Sequence, residues 1–328
     1  RRIISRAKQA GIDAIICWDF AVLQEARRQD IPVSVSTQMS VSNAQAMLFL
    51  YRSFGARRFV LARECSLDDI RNIQRSLKKA LGKKAAEIEI EVFAHGALCV
   101  SISGRCFLSQ FLHNKSANRG ECLQPCRREY LVTEPVHGHS LALGNKYILS
   151  PRDLCTLPFI EKLIAAGVAS LKIEGRNRSP EYVGTVTAAY RQAIDFYCGK
   201  KRTPGFSAEF AELKKQLMAR LSRVYHRGSS SGFFLGKPVD QWHDAEGSTA
   251  AVRKQYVGIV TNYFKKQGVT EIRVESNEFA RGDEIMFQGV TTGVFSQIAA
   301  SIEAQHAKID SAQKGMVVAV KTDRLTRP

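Results

Sequence analysis

The chain has 328 residues, 45% hydrophobic and 24% charged, which excludes a disordered or fibrous protein and allows two domains with sizeable cores. Its 48 Lys and Arg against 31 Asp and Glu give a net charge of +17, a balance that favours a polyanionic partner, most simply nucleic acid, through phosphate neutralisation. No run approaches the roughly 20 apolar residues of a membrane span, so no membrane partner is expected. Eight cysteines without anything resembling a secretory signal suit a reducing, cytoplasmic setting.

In chain order, Arg1 to Gly11 reads as the tail of a helix with a terminal glycine, before any strand has appeared. A β-branched run at Asp13–Cys17 follows, then a helix over Ala21–Arg28, a strand over Pro32–Thr37 and a helix over Asn43–Phe54. Arg58–Arg63 is the next strand, Leu67–Leu81 a helix, and Glu87–Ala94 alternates charge with Ile, Val and Phe before a cysteine-rich loop. Beyond the loop come a short strand at Lys146–Leu149, a helix at Leu157–Ala166, a strand at Ala169–Ile173 and a long amphipathic helix at Pro180–Tyr197. Phe206–Val224 reads as helical, and Tyr225–Gly236 as a Gly/Ser-rich loop. Short β runs follow at Tyr256–Thr261, Glu271–Val274, Glu284–Phe287 and Met316–Val320, with turn signals at Arg281–Asp283 and Lys314-Gly315.

Strands alternating with helices imply an α/β fold with a parallel sheet and right-handed crossovers, and units of this size suit a (β/α) TIM-type barrel. Six strands are countable rather than eight, so the expected barrel lacks its first one or two βα units; a doubly wound sheet is the alternative. The expected organisation is a catalytic (β/α)-barrel at 1–199 with a cysteine-rich insertion at 95–145. A helical linker and Gly/Ser loop at 200–244 then lead to a C-terminal β-barrel at 245–328. In such a barrel chemistry sits where strands end. Ser36, Thr37 and Gln38, then Arg63 and Glu64, His95 and Gly96, Ser150 to Asp153, and Glu174 to Arg176 all fall at such ends.

Four cysteines dominate the loop: Cys99, Cys106, Cys122 and Cys126. Four thiolates satisfy either one tetrahedral zinc ion or the corners of an iron–sulfur cluster. Zinc sites usually carry two short knuckles, and only Cys122-x3-Cys126 comes close to one, so the uneven spacing favours a cluster, with zinc as the alternative. Plain burial as small hydrophobes is the bland reading, and disulfides are unnecessary in a chain this large. Cys17, Cys65 and Cys198 lie in or beside regular elements and read as packing residues.

The run Glu91-x-Phe93-x2-Gly96-Ala97-Leu98-Cys99-x4-Gly104-x-Cys106-x-Leu108-Ser109, continued by Gly120-x-Cys122-x2-Pro125-Cys126-Arg127, resembles the signature of the collagenase-like peptidase family of unknown catalytic type, family thirty-two of that class. Ser170–Arg176, Ser36–Met39 and Leu61–Glu64 extend the likeness over nearly the whole chain. The resemblance is nearest to members that form 5-hydroxyuridine in tRNA. It implies a [4Fe-4S] cluster and RNA hydroxylation with prephenate as the hydroxyl-donating co-substrate. Ribosomal RNA cytidine hydroxylation, ubiquinone-ring hydroxylation and the peptidase activity of the family's name are the alternatives it implies. It also likens the C-terminal β run to the barrel that follows the catalytic domain in the tRNA-hydroxylating members. Some members replace the second cysteine of the C-x3-C pair by a distant one, which makes Cys155 the alternative to Cys126.

Around this centre, Glu174 and Arg176 suit a carboxylate base and an anion clamp, or equally an ion pair closing the barrel mouth. His95 suits donation to a substrate oxygen or a cluster sulfur, or a structural histidine. Gln38, Arg63 and Lys172 are the substrate-binding candidates, for a base edge of tRNA or rRNA or for a small carboxylate. Arg105, Lys115, Arg119, Arg127 and Arg128 surround the cysteines with positive charge. Proteolysis finds little support: the Gly-x-Ser-x-Gly string at Gly228–Gly232 falls in the Gly/Ser-rich loop rather than at a strand-to-helix elbow, and there is no His-Glu-x-x-His helix.

Overall fold

A computed structural model describes residues 1–138, 140–141, 149–239, 241–245 and 247–328. The chain runs α1 (Arg2–Gln9), β1 (Ile15–Cys17), α2 (Phe20–Arg28), β2 (Val33–Val35), α3 (Ala44–Phe54), β3 (Arg58–Val60), α4 (Leu67–Leu81) and β4 (Glu89–Gly96). Then come α5 (Leu108–His113), β5 (Val132–Thr133), β6 (Ser140–Leu141), β7 (Asp153–Cys155), α6 (Ile160–Ala165), β8 (Ser170–Ile173), α7 (Pro180–Lys200), α8 (Phe206–Leu221) and β9 (Ser229–Ser230). The predicted strand over Lys146–Leu149 lies, apart from Leu149, outside the described residues.

Local chemistry accounts for the helices. Helix α4 opens with a reciprocal capping box: the Asp69 amide donates to Ser66 Oγ at 3.1 Å and the Ser66 amide to Asp69 Oδ2 at 2.9 Å. Its buried Leu67, Ile70, Ile73 and Leu77 recur at helical spacing, and burying each such side chain contributes about 1.5–3 kcal/mol. Helix α3 is capped by Asn43, whose side chain accepts from the Ala46 amide at 2.9 Å. These helices pack on β1 to β4 in one apolar core that includes Val35, Met47, Phe59, Ile70, Leu77 and Ile90.

Strands β1 to β4 pair in parallel and in sequence order. β8 adds in parallel along β4, with Glu91 opposite Ser170 and Phe93 opposite Lys172. The sheet stays open: among the described residues β1 pairs only with β2, and β8 only with β4. The expected TIM-type barrel is therefore not closed, because five parallel strands cannot supply the eight tilted, staggered strands that closure needs. No reversal of strand order occurs in this parallel set, so the doubly wound alternative is not formed either. The sheet is also not purely parallel. β7 runs antiparallel against the end of β4, His95 opposite Cys155 and Gly96 opposite Leu154, and β9 extends it alongside β7.

Two compact units partition the chain: Arg1–Arg176 with Thr185–Ala250, and Asn177–Gly184 with Ala251–Pro328. The stretch 200–244, read from sequence as a linker, belongs to the first unit, with α8 and β9 as its regular parts. The second unit holds β10 (Gly258–Phe264), β11 (Val269–Val274), β12 (Phe279–Ala280), β13 (Glu284–Gly289), β14 (Gly293–Ile298), β15 (Ile302–Ala304), β16 (Ala307–Ile309), β17 (Ser311–Ala312) and β18 (Val317–Lys321). It forms a five-stranded sheet in the order β10-β11-β18-β15-β16 and two two-stranded ribbons, rather than the closed β-barrel expected. Phe287 stacks on Phe295 at 5.1 Å within a core completed by Ile272, Val274, Ile302 and Val320. Charge divides unevenly. The first unit has 36 Lys and Arg against 22 Asp and Glu, a net +14; the second has 12 against 9, a net +3. Among the described residues no helix is long and apolar enough to cross a membrane.

Candidate metal centre

Strand β4 is buried along almost its whole length and delivers the cysteine insertion from its C-terminal end. Cys99, Cys106, Cys122 and Cys126 are all half-buried and free of disulfides. Three of their sulfurs accept a backbone N–H from the residue two places on: Ser101 to Cys99 at 3.4 Å, Leu108 to Cys106 at 3.3 Å and Gln124 to Cys122 at 3.4 Å. Such amides stabilise thiolates and orient their lone pairs. Burial raises the Cys126 thiol above its ordinary value; Arg127 opposes the rise, and charges on Cys99, Cys122 and Cys106 add to it. The four sulfurs therefore share one electrostatic neighbourhood. Among the described residues no three His, Cys, Asp or Glu side chains are arranged to hold a single metal ion.

Side chains from the strand ends fasten the insertion. Glu64, after β3, accepts from the Ser103 amide at 2.6 Å and from Ser103 Oγ at 2.9 Å, holding a residue at φ 47°. Gln38, after β2, donates from Nε2 to Asn118 Oδ1 at 3.0 Å. Arg63 lies over the Phe93 ring at 4.2 Å and against Gly104, where a Cβ would sit 3.1 Å from its Nη1. Arg176 lies against Gly120 in the same way, with Cζ 3.6 Å from where a Cβ would be. Both glycines have positive φ, 76° and 92°, which favours glycine at each, and at Gly104 the close approach of Arg63 adds to it.

Beneath the cysteines is a polar cluster in which sequence reasoning singles out Arg127 and Ser150 to Asp153 but misses Arg227. Arg127 donates from Nη2 to Leu98 O at 2.6 Å and from Nη1 to Ser150 Oγ at 3.0 Å and to Pro151 O. Arg227 donates from Nη2 to Gln124 Oε1 at 3.1 Å and from its own amide to Asp153 Oδ2 at 3.1 Å, and its guanidinium pairs with the Asp153 carboxylate at 3.5 Å. Burial, and then the Arg227 charge, pull the Arg127 guanidinium below its ordinary value. The buried Arg227 and half-buried Arg127 against one carboxylate leave positive charge next to the sulfurs. Arg227 comes from the Gly/Ser loop, more than 100 residues beyond Gln124, so no local pattern pointed to it.

The other candidates take different places. His95 is buried, its Nδ1 3.3 Å from Tyr190 Oη and its ring edge-on to that tyrosine at 5.5 Å. Tyr190 Oη donates to Ala94 O at 2.8 Å and accepts the Thr156 and Leu157 amides at 3.0 and 3.1 Å, tying α7 to β4 and β7. Cys155 sits in that pocket, buried on β7, with Sγ 3.8 Å from Met218 Sδ and its thiol raised by burial. Lys172 pairs with the buried Glu91 at 3.1 Å and lies 6.0 Å from the centre of the Phe93 ring. Glu174 accepts the Arg176 amide on Oε1 at 2.8 Å. Cys17 and Cys65 are core residues whose thiols burial lifts to about 11 and about 12. Cys198 is exposed rather than packed. A cavity of about 690 Å³ opens beside Cys99, with Ile102, Phe233 and Trp242 among its apolar walls and Glu64, Asp69 and Lys237 as its charged groups.

Comparison with known proteins fixes the family. The model of peptidase family U32 matches residues 1–244. The chain belongs to that family. It is 41% identical over 330 residues to a collagenase of Porphyromonas gingivalis, spanning 100% of this chain and 78% of the relative. It is 32% identical over 327 residues to tRNA hydroxylation protein P1 of Bacillus subtilis, covering 97% and 73%. It is 31% identical over 312 residues to a 23S rRNA 5-hydroxycytidine synthase of Escherichia coli, covering 85% of this chain and 45% of that one.

Proposed function

We propose that this U32 chain is an RNA-modifying enzyme that hydroxylates a pyrimidine, in the first instance uridine C5 of tRNA, with a [4Fe-4S] cluster on Cys99, Cys106, Cys122 and Cys126 and prephenate as the source of the hydroxyl group. The observation that carries it is the sulfur quartet itself: four thiols outside any disulfide in one electrostatic neighbourhood, three with backbone N–H donors. That donor set fits a cluster. Four thiolates are the ligand set such a cluster takes, one to each iron. When bound, the cluster would supply electron transfer.

The chain's own groups have complementary work. Backbone amides, the half-buried Arg127 and the buried Arg227 offset the negative charge of four thiolates. Arg63 and Arg176, each laid against a glycine of the insertion, are the cations proposed to hold the two carboxylates of the co-substrate. Lys172, already paired with Glu91, serves to fix the Phe93 platform rather than to bind an anion. The names of the tRNA- and rRNA-hydroxylating relatives and the net charge of +17 support an RNA substrate, with ribosomal cytidine as the alternative target. Ubiquinone-ring hydroxylation would leave that charge without a role.

The collagenase-named relative favours a second reading, a peptidase. It has less support here, because Cys155 is buried on the strand and His95 is engaged by the Tyr190 hydroxyl. Anaerobic purification with iron and sulfide analysis, followed by nucleoside analysis of tRNA and rRNA from a deletion strain, separates the readings. Loss of a hydroxylated pyrimidine is expected. Unchanged nucleosides together with gelatin cleavage by the purified chain would establish the peptidase instead.

A further inference from the structure

The outer face of the cysteine insertion is built inside out. Helix α5 buries Ser109, whose Oγ accepts the Leu123 amide at 3.1 Å, while Phe107, Phe111 and Leu112 are 65%, 84% and 52% exposed. Phe107 and Phe111 stand edge to face with ring centres 6.2 Å apart. Ile102 and Leu123 are exposed in the same insertion. A short helix that turns its aromatics outward forgoes the burial that would stabilise it, and aromatic groups left in water in this way mark a contact surface.

Charge says what the surface meets. Arg105, Lys115, Arg119 and Arg128 are exposed, and among the described residues none of the four makes an ion pair; only Glu121 and Glu129 oppose them within residues 99–130. Protein-binding patches are depleted of charge at their centres, whereas exposed rings among unpaired cations suit bases and phosphates together. We propose that this face is the docking surface for single-stranded RNA, stacking bases on Phe107 and Phe111 and setting phosphates against Arg105, Lys115, Arg119 and Arg128. Single-stranded RNA is favoured over a duplex because stacking requires splayed bases, which a duplex withholds. The proposal rests on the RNA-modifying reading and names the surface that would present the strand. It also assigns the contact to the first unit, where the excess charge is +14, rather than to the β-rich second unit at +3.

The test uses the full chain and a labelled single-stranded RNA of roughly 12–16 nucleotides, a length that single-strand surfaces can occupy, with the matching duplex as control. A Phe107→Ser, Phe111→Ser double variant is expected to weaken single-strand binding by about 10- to 100-fold with an unchanged salt slope. A Lys115→Gln, Arg119→Gln, Arg128→Gln triple variant is expected to flatten the slope of log affinity against log salt by about 2. Iron content and circular dichroism equal to wild type show that the insertion is intact. If wild type binds RNA and both variants bind it equally well, this surface is overturned while the RNA-modifying reading stands. If wild type binds neither the oligonucleotide nor whole tRNA, that reading falls together with the surface. If the phenylalanine variant alters sedimentation but not RNA affinity, the face is a self-association surface and the proposal is wrong.

Discussion

The sheet around β4 and the insertion that leaves it are held together by different forces. In the sheet, Val35, Phe59 and Ile90 are fully buried, as is Leu77 on the helix α4 packed against it, and parallel ladders satisfy the backbone. In the insertion, from Leu98 to Tyr130, Leu98 is the only large aliphatic side chain among the buried residues; Ser103, Ser109 and Pro125 are the others. Its regular structure is three-residue turns and one six-residue helix. Side-chain latches such as Glu64 to Ser103 and Gln38 to Asn118 take the place of a core. On the cluster reading proposed above, a segment with so little apolar burial depends on the ligand of its thiols, whereas the sheet does not.

That difference sets the expected size of each perturbation. The largest effect comes from Cys106→Ser. It is expected to abolish retained iron and modification activity and to expose residues 97–131 to limited proteolysis, while urea unfolding of the remainder moves little. Full iron retention would remove Cys106 from the ligand set. Leu77→Ala, at a fully buried position, is expected to cost about 2–5 kcal/mol in global urea unfolding, with iron content unchanged. Glu64→Ala is expected to cost about 1–3 kcal/mol, by leaving the Ser103 amide without its acceptor. The loss is local and is read as faster nicking of the insertion by protease at an unchanged global midpoint; a shifted midpoint would mean the two regions unfold as one.

The smallest effect lies on the sheet side. Hydrogen bonds from Arg28 and Gln29, helped by the charges of Arg28 and Arg1, hold the Glu25 carboxyl down at about 2 against an ordinary 4.5. A folded-state value below the unfolded one stabilises above pH 4.5 and is lost as the pH falls toward 2. The melting temperature of wild type is therefore expected to exceed that of Glu25→Gln at neutral pH, and the gap to close across that window. A gap constant with pH would show that packing, rather than charge, links Glu25 to its neighbours.

Much of the architecture was readable before any coordinates. The capping pair Ser66 and Asp69, followed by apolar residues at helical spacing, announces α4 within a few bonds of itself. β-branched runs such as Val33–Val35 announce the parallel strands, and the cysteine spacing together with Gly104 and Gly120 marks the insertion. The pairing of β7 was not readable, because a three-residue strand has no period and its antiparallel partner lies some 60 residues away. The role of Tyr190 was hidden for a similar reason: on α7 it looks like one more apolar-face residue until its hydroxyl is seen to gather one carbonyl and two amides.

Local order thus followed from residue type: helix caps, apolar periods, four thiols in one loop and the excess of positive charge. Tertiary structure alone decided that the sheet stays open, that His95 turns to Tyr190, that Glu64 clasps Ser103, and that Arg127 and Arg227 share the ground beneath the sulfurs. The physical reason is range. Caps and periods are settled between neighbours in the chain, but burial, the direction of a side chain and the partner of a buried charge depend on which distant segment folds against it.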